Sequence, residues 1–268
     1  MKQRILDNAN ANLKTLYPDR YTPITFEDIE KVYARNVLGI QADAKTRKGT
    51  GKGYLTGIMY FAPAKLSGIE VCPARSAGCA AACLFSAGRG RFYTITRARM
   101  IKTLAYHFDK ARFIATVKKS IASLLVKAKN KGLTPVVRLN GTSDILWERT
   151  TDIIQSFPKL RFYDYTKIAK RFLFDMPKNY HLTFSLSESN ETDARFVLAK
   201  GGNVAAVFRG ALPKEYLGYQ VINGDETDLR FLDKRNSIVG LKAKGKAKKD
   251  TSGFVKDYGE VPKNAVAS

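Results

Sequence analysis

The sequence predicts an α/β fold: a complete or partial (β/α) barrel of about seven mainly parallel strands, with an N-terminal extension and a basic C-terminal tail. Three observations lead there. Short β-branched and aromatic runs alternate with helical stretches from residue 54 onward, which is the rhythm of parallel strands joined by crossovers. The length of 268 residues suits one such domain. Polar residues fall just after the strand-like runs, where α/β enzymes build their sites.

Residues 1–50 are polar and form the extension, with a helix expected at 26–36, "FEDIEKVYARN". Thr25 is its candidate cap, and Asp28 completes a capping box. "KTRKGTGKG", Lys45 to Gly53, reads as a basic loop and lacks the spacing of a phosphate-binding P-loop. The barrel-like domain is expected over 51–243. Its strands are placed at 54–63, 134–140, 160–165, 180–187, 203–208, 218–224 and 236–243. A long helical stretch at 95–130 carries Ile101, Leu104, Phe108, Phe113, Ile114 and Val117 at helical spacing. Further helices are expected at "ILWERTTDIIQSF", "KIAKRFL" and "ETDARFVLAKG". The tail, 244–268, is lysine-rich with little to bury, so it reads as flexible.

The chain has 46 Lys and Arg against 24 Asp and Glu, a formal charge of +22. Such a surface attracts phosphate backbones, so DNA or RNA is the candidate partner. No apolar run has the length of a membrane span, and the N-terminus has no apolar core of a signal peptide. Three clustered cysteines are not a disulfide framework. Together these features point to a reducing cytoplasm.

All three cysteines lie in "VCPARSAGCAAACL", with Cys72, Cys79 and Cys83 spaced C-x6-C-x3-C. Cys79 and Cys83 stand four apart in a good helix-forming run, which predicts one shared face. Several readings stay open. Free cysteines can be small buried hydrophobes. A zinc site needs a fourth ligand, from His107, His181 or a carboxylate, although each histidine reads first as structural. A redox pair lacks its C-x-x-C. The favoured reading is a [4Fe–4S] cluster in which one iron has no cysteine and stays open to a substrate or cofactor.

Asn140, Asp144, Asp164, Lys167, Ser187 and Glu188 follow the strands and are the candidate pocket residues. The same residue types belong in ordinary turns and caps. Arg89, Arg91, Arg97, Arg99 and Lys102, with Phe92 and Tyr93 among them, are the candidate nucleic-acid contacts. A solvated helix face is the plainer alternative for them.

A strand, a three-cysteine loop and a further α/β series resemble the radical S-adenosylmethionine enzymes. That resemblance implies a [4Fe–4S] cluster whose open iron binds S-adenosylmethionine. The spacing departs from that superfamily's C-x3-C-x2-C, and its Gly-Gly-Glu stretch is replaced by "LNGTSDILWE". The segments "CPARSAGCAAACL", "RLNGTSDILWE", "FYDYTK" and "HLTFSLSE" resemble those of the bacteriophage gene product 88 family. That second resemblance implies a viral protein working in the cytoplasm of a bacterial host, and supplies no reaction.

Overall fold

The computed structural model describes residues 1–41 and 44–258. The N-terminal part holds helices α1 (Lys2–Leu16) and α2 (Phe26–Glu30), strand β1 (Gly39–Ile40) and helix α3 (Ala44–Thr50). Next come β2 (Tyr54–Ile58), α4 (Ala77–Ala81), α5 (Tyr93–Phe108), α6 (Lys110–Asn130) and β3 (Thr134–Arg138). They are followed by α7 (Trp147–Thr150), α8 (Ile153–Ser156), β4 (Arg161–Thr166), β5 (Tyr180–Ser185), α9 (Glu191–Ala199) and β6 (Asn203–Arg209). The chain ends with β7 (Glu215–Tyr216), β8 (Tyr219–Asn223), β9 (Ile238–Lys242) and β10 (Val255–Asp257).

The strands form one ten-stranded sheet in the order β1-β2-β3-β4-β5-β6-β9-β8-β7, with β10 beside β6. Every neighbour from β2 through β8 is parallel. Only the edge strands β1 and β7 run antiparallel. Each of the seven expected strands is present. The closed barrel is not: β1 occupies the free edge of β2 and β7 that of β8, so the ends of the parallel run do not meet.

The layer over the sheet follows from helical spacing. α6 buries Phe113, Val117, Ile121, Leu124 and Ala128, a stripe at three- and four-residue intervals. Gly57 lets this helix sit down on β2, since a Cβ there would lie 2.8 Å from Leu124 Cδ2. The expected 95–130 stretch breaks at Asp109, whose extended backbone ends α5 and whose carboxylate accepts the Arg112 N–H at 3.0 Å to start α6. The Thr25–Asp28 capping box of α2 forms as the sequence implies. The 45–53 segment differs from the expected loop, because its first part is the helix α3. Leu6, Ala9, Leu13 and Ile29 of the extension share one core with Met100, Leu104 and Phe113.

The C-terminal segment also departs from expectation. β5 pairs with the first part of β6, up to Ser185 opposite Ala205, and then turns away. β10 takes its place along Val207 to Arg209. Before it, a 3-10 turn at Gly245–Lys249 exposes Lys246, Lys248 and Lys249 while burying Ala247. Ala247, Phe254 and Val255 pack with Ala82 of the cysteine loop. The lysines mask this anchorage in the composition. The rest of the expected tail, 259–268, lies outside the described residues.

Phe254 is 9% exposed and is the largest side chain of that small cluster. Phe254→Ala is expected to lower stability by about 3 kcal/mol in urea unfolding. A loss below about 0.5 kcal/mol, the range of ordinary surface positions, would return the segment to a solvated tail.

Candidate metal centre

The cysteine loop lies over the C-terminal ends of the parallel strands. Cys72 donates its backbone N–H to Glu70 Oε1 at 2.8 Å, and its thiol reaches the Thr142 carbonyl oxygen at 3.6 Å. Glu70 is braced in turn by an ion pair with Arg75. Ser76 caps α4 by accepting the Cys79 N–H at 3.1 Å. Glu188, from the loop after β5, accepts the Ser76 hydroxyl and the Gly78 N–H, each at 2.7 Å. A Cβ at Gly78 would stand 2.1 Å from Ser252 Oγ and 2.8 Å from Glu188 Oε2, so a larger residue would displace one or both of these side chains.

The i and i+4 helical pairing expected for Cys79 and Cys83 does not form. α4 stops at Ala81, and Cys83 has an extended backbone with φ −51° and ψ 132°. Ala82 is drawn into the cluster with Phe254 and Val255, and this packing overrides the helix propensity of "CAAACL".

The three thiols still act on one another. Burial pushes Cys72 up to about 12, with Cys83, Asp144 and Cys79 adding to the rise. Burial also raises Cys83, again with Cys79 adding, while Arg99 and Lys167 pull it down. The cysteines are half-buried and unbridged. Small residues, two cations and one carboxylate therefore surround three mutually sensed sulfurs. His107 and His181 are not among the groups acting on Cys72 or Cys83. Burial, then Arg161, Arg230 and Arg235, lowers His181 to about 4 and keeps it neutral. Among the described residues no three His, Cys, Asp or Glu side chains form a group that could hold a single metal ion.

The candidate pocket residues divide into two sets. Lys167 and Glu188 face the cysteine loop. Lys167 Nζ donates to Ser185 Oγ at 2.6 Å and lies 5.3 Å from the centre of the Phe254 ring. Asn140, Asp144 and Asp164 instead form a buried network. Asn140 Oδ1 accepts from Ser143, Ile145 and Trp147. Asp164 accepts the Asn140 N–H at 2.7 Å and the Tyr180 hydroxyl at 2.8 Å. Its burial pushes the carboxyl up to about 7, against the pull of Arg138. Arg171 donates to Tyr180, Asp144 and Glu148. Asp144 also accepts the Lys167 N–H, and donates its own N–H to Val71, the residue before Cys72. Ser187 shapes the turn after β5, its N–H bonded to Asn190. Arg171, Tyr180 and Glu148 were not singled out in the sequence, where nothing sets Arg171 apart from Lys170 beside it.

The basic candidates are equally divided. Arg89 and Arg91 are exposed. Arg97 bonds Asp28 at 2.7 Å and the carbonyls of Thr22 and Pro23, so its charge is already matched. Arg99 stacks on Tyr60 at 4.4 Å and acts on Cys83. Lys102, one turn further along α5, lines a cleft formed with α2.

A family model described as gene product 88 matches residues 36–258. No curated protein and no solved structure matches the chain at a significant level.

Two outcomes test this architecture. Burial raises the Glu188 carboxyl, but the bonds from Ser76, its own backbone and Gly78 together hold it below the ordinary 4.5. The stability it contributes is present above that value and is lost as pH falls through the folded-state value. Glu188→Gln should therefore cost about 1 kcal/mol near neutral pH, and the difference should vanish as the pH is taken well below 4.5. A difference that persists unchanged in acid would sink this assignment. Arg171→Met should cost about 3–5 kcal/mol, because it strands two buried carboxylates. A thermal melt matching wild type would show that the network is dispensable.

Proposed function

The chain belongs to the gene product 88 family of bacteriophage proteins, and from that premise we propose that it is an iron–sulfur protein whose [4Fe–4S] cluster is held by Cys72, Cys79 and Cys83. The observation that carries this reading is the mutual influence of three half-buried thiols at the strand C-termini, with the Arg99 and Lys167 charges directed at Cys83. Thiolate ligands give such a cluster net negative charge, which two fixed cations offset. A cluster with one iron lacking a cysteine would supply one-electron chemistry and an open position for S-adenosylmethionine or for the substrate itself. The finer, radical S-adenosylmethionine-like reading rests on the run β2 to β6, which is sequential with the cysteine loop after its first strand, whereas β9 and β8 then follow in reversed order.

The chain's own residues have definable tasks. Glu188, Ser76 and Glu70 orient the loop. Phe254 and Val255 keep water from its inner side. Burial favours the protonated thiol at Cys72 and Cys83, so cluster binding would release protons there and weaken as pH falls. Lys167, set between Ser185 and Phe254, is placed to position an anionic group of a substrate.

The second reading is a nucleic-acid-binding protein in which zinc or a cluster only folds the loop. The +22 charge and the exposed Arg89 and Arg91 favour it. Anaerobic reconstitution separates the two. The cluster reading expects a brown protein with about four irons and as many labile sulfides per chain. Cys79→Ser is expected to lose most of that iron while the melting temperature changes little. A colourless protein carrying one zinc per chain, with folding and nucleic-acid binding lost together in Cys79→Ser, would establish the second reading instead.

A further inference from the structure

A cleft of 590 Å³ opens between α2, the 3-10 turn at Lys31–Ala34 that follows it, and α5. Four cations line it, Lys31, Arg35, Arg97 and Lys102, against one carboxylate, Asp28. That carboxylate is already matched, to Arg97 at 2.7 Å and to the Thr25 N–H at 3.0 Å. Lys31 is paired with Glu27 on the outer surface. Two cations remain on opposite walls. Among the described residues, neither the Arg35 side chain nor Lys102 Nζ has a hydrogen-bond or ion-pair partner.

Lys102 is the more telling of the two. It is half-buried one turn along α5 from Arg99. Burial, and then the Arg99 charge, push its ammonium down to about 8. An ammonium kept in such surroundings without a counter-charge is unfavourable, and an anion entering the cleft would relieve it. The other charged groups around it are the cations and the matched Asp28 already named, so nothing on the walls repels an anion strongly.

We propose that this cleft binds a phosphate group of a nucleic-acid strand, with Arg35 and Lys102 as its direct ligands from the two walls. Phosphate matches the fork of Arg35 and the point charge of Lys102. The strand is favoured as its source by the residues leading into the cleft. Arg89 and Arg91 are exposed, and Phe92 is 52% exposed, immediately before Tyr93 at the cleft wall. Cations interleaved with an open ring are what a single strand uses for its backbone and bases. No residue of the cysteine loop lines this cleft, and the proposal does not rest on the cluster.

The test uses the full chain, a labelled single-stranded oligonucleotide followed by anisotropy across a salt series, and pyrophosphate as a competitor. Arg35→Gln and Lys102→Met should each weaken strand binding about tenfold and make the salt slope shallower by about one. Lys129→Gln, which removes an exposed charge from α6, should change binding far less. Melting curves matching wild type establish that the variants are folded. Pyrophosphate should displace the strand from wild type. If pyrophosphate binds and is lost in the cleft variants while strand binding stays unchanged, the phosphate site stands and its source is a free phosphorylated molecule. Cleft variants that behave like Lys129→Gln toward both ligands overturn the proposal, as does the absence of binding by either ligand.

Discussion

A single buried guanidinium, Arg171, ties the segment after β3 to β4 and β5. It is 2% exposed and joins Asp144 and Glu148 from the β3 side to Tyr180 on β5. Tyr180 passes the connection to Asp164 on β4, and Asp164 to the backbone of Asn140 after β3. Charges in a low-dielectric interior tolerate little freedom, because any displacement leaves one of them unmatched. Three neighbouring strands are thereby tied together, from the first residue of β5 through the interior of β4 to the chain just after β3. The cysteine loop is joined to them through the Asp144 N–H, which bonds Val71 at 2.8 Å. Cys72 is thus positioned by an ion network that it does not touch.

The other end of the loop is held by a different device. Because β5 leaves β6 early, the chain after Ser185 is free to bring Glu188 to α4. Because β10 then fills the vacated edge, Ser252 and Phe254 close over the same place. The carboxylate on Ser76 and Gly78 and the apolar contact with Ala82 therefore come from one local rearrangement of the sheet. Gly78 is the point where the two converge, and the steric demand on it measures how closely they are fitted.

Much of the fold was legible because the inner strands carry strong signals. Parallel strands buried on both faces, such as β4 and β6, read as short apolar runs, and all seven expected strands are present although β8 is only partly covered. β1 and β7 are two residues long and offer no periodicity at all. β10 was hidden by the lysines around it, although Ala247, Phe254 and Val255 are what decide its place. Position at a strand end drew attention to Asn140, Asp144 and Asp164, which lie in a buried network, but could not tell a lining residue from a buried strut. That difference depends on Arg171 and Tyr180, whose roles exist only once the strands are side by side. The break before Cys83 was invisible for a similar reason. Local propensity favours continuing the helix, and a contact from residues far along the chain ends it.

The distribution of charge gives the +22 chain its functional logic. Most of the lysines lie in water and act only through their summed field. A few cations are taken out of that pool and assigned to specific places. Arg97 closes a structural pair with Asp28. Arg99, one turn from Lys102 on α5, is stacked on Tyr60 and held toward Cys83. Lys167, just after β4, also acts on Cys83. A thiol that burial keeps protonated gains nothing from a neighbouring cation, whereas a thiolate gains a good deal. Arg99 and Lys167 both act on the buried Cys83 thiol, and their charges favour its ionised form against the burial that opposes it. It is this cation placement, more than the cysteine count, on which the proposed ligand set rests.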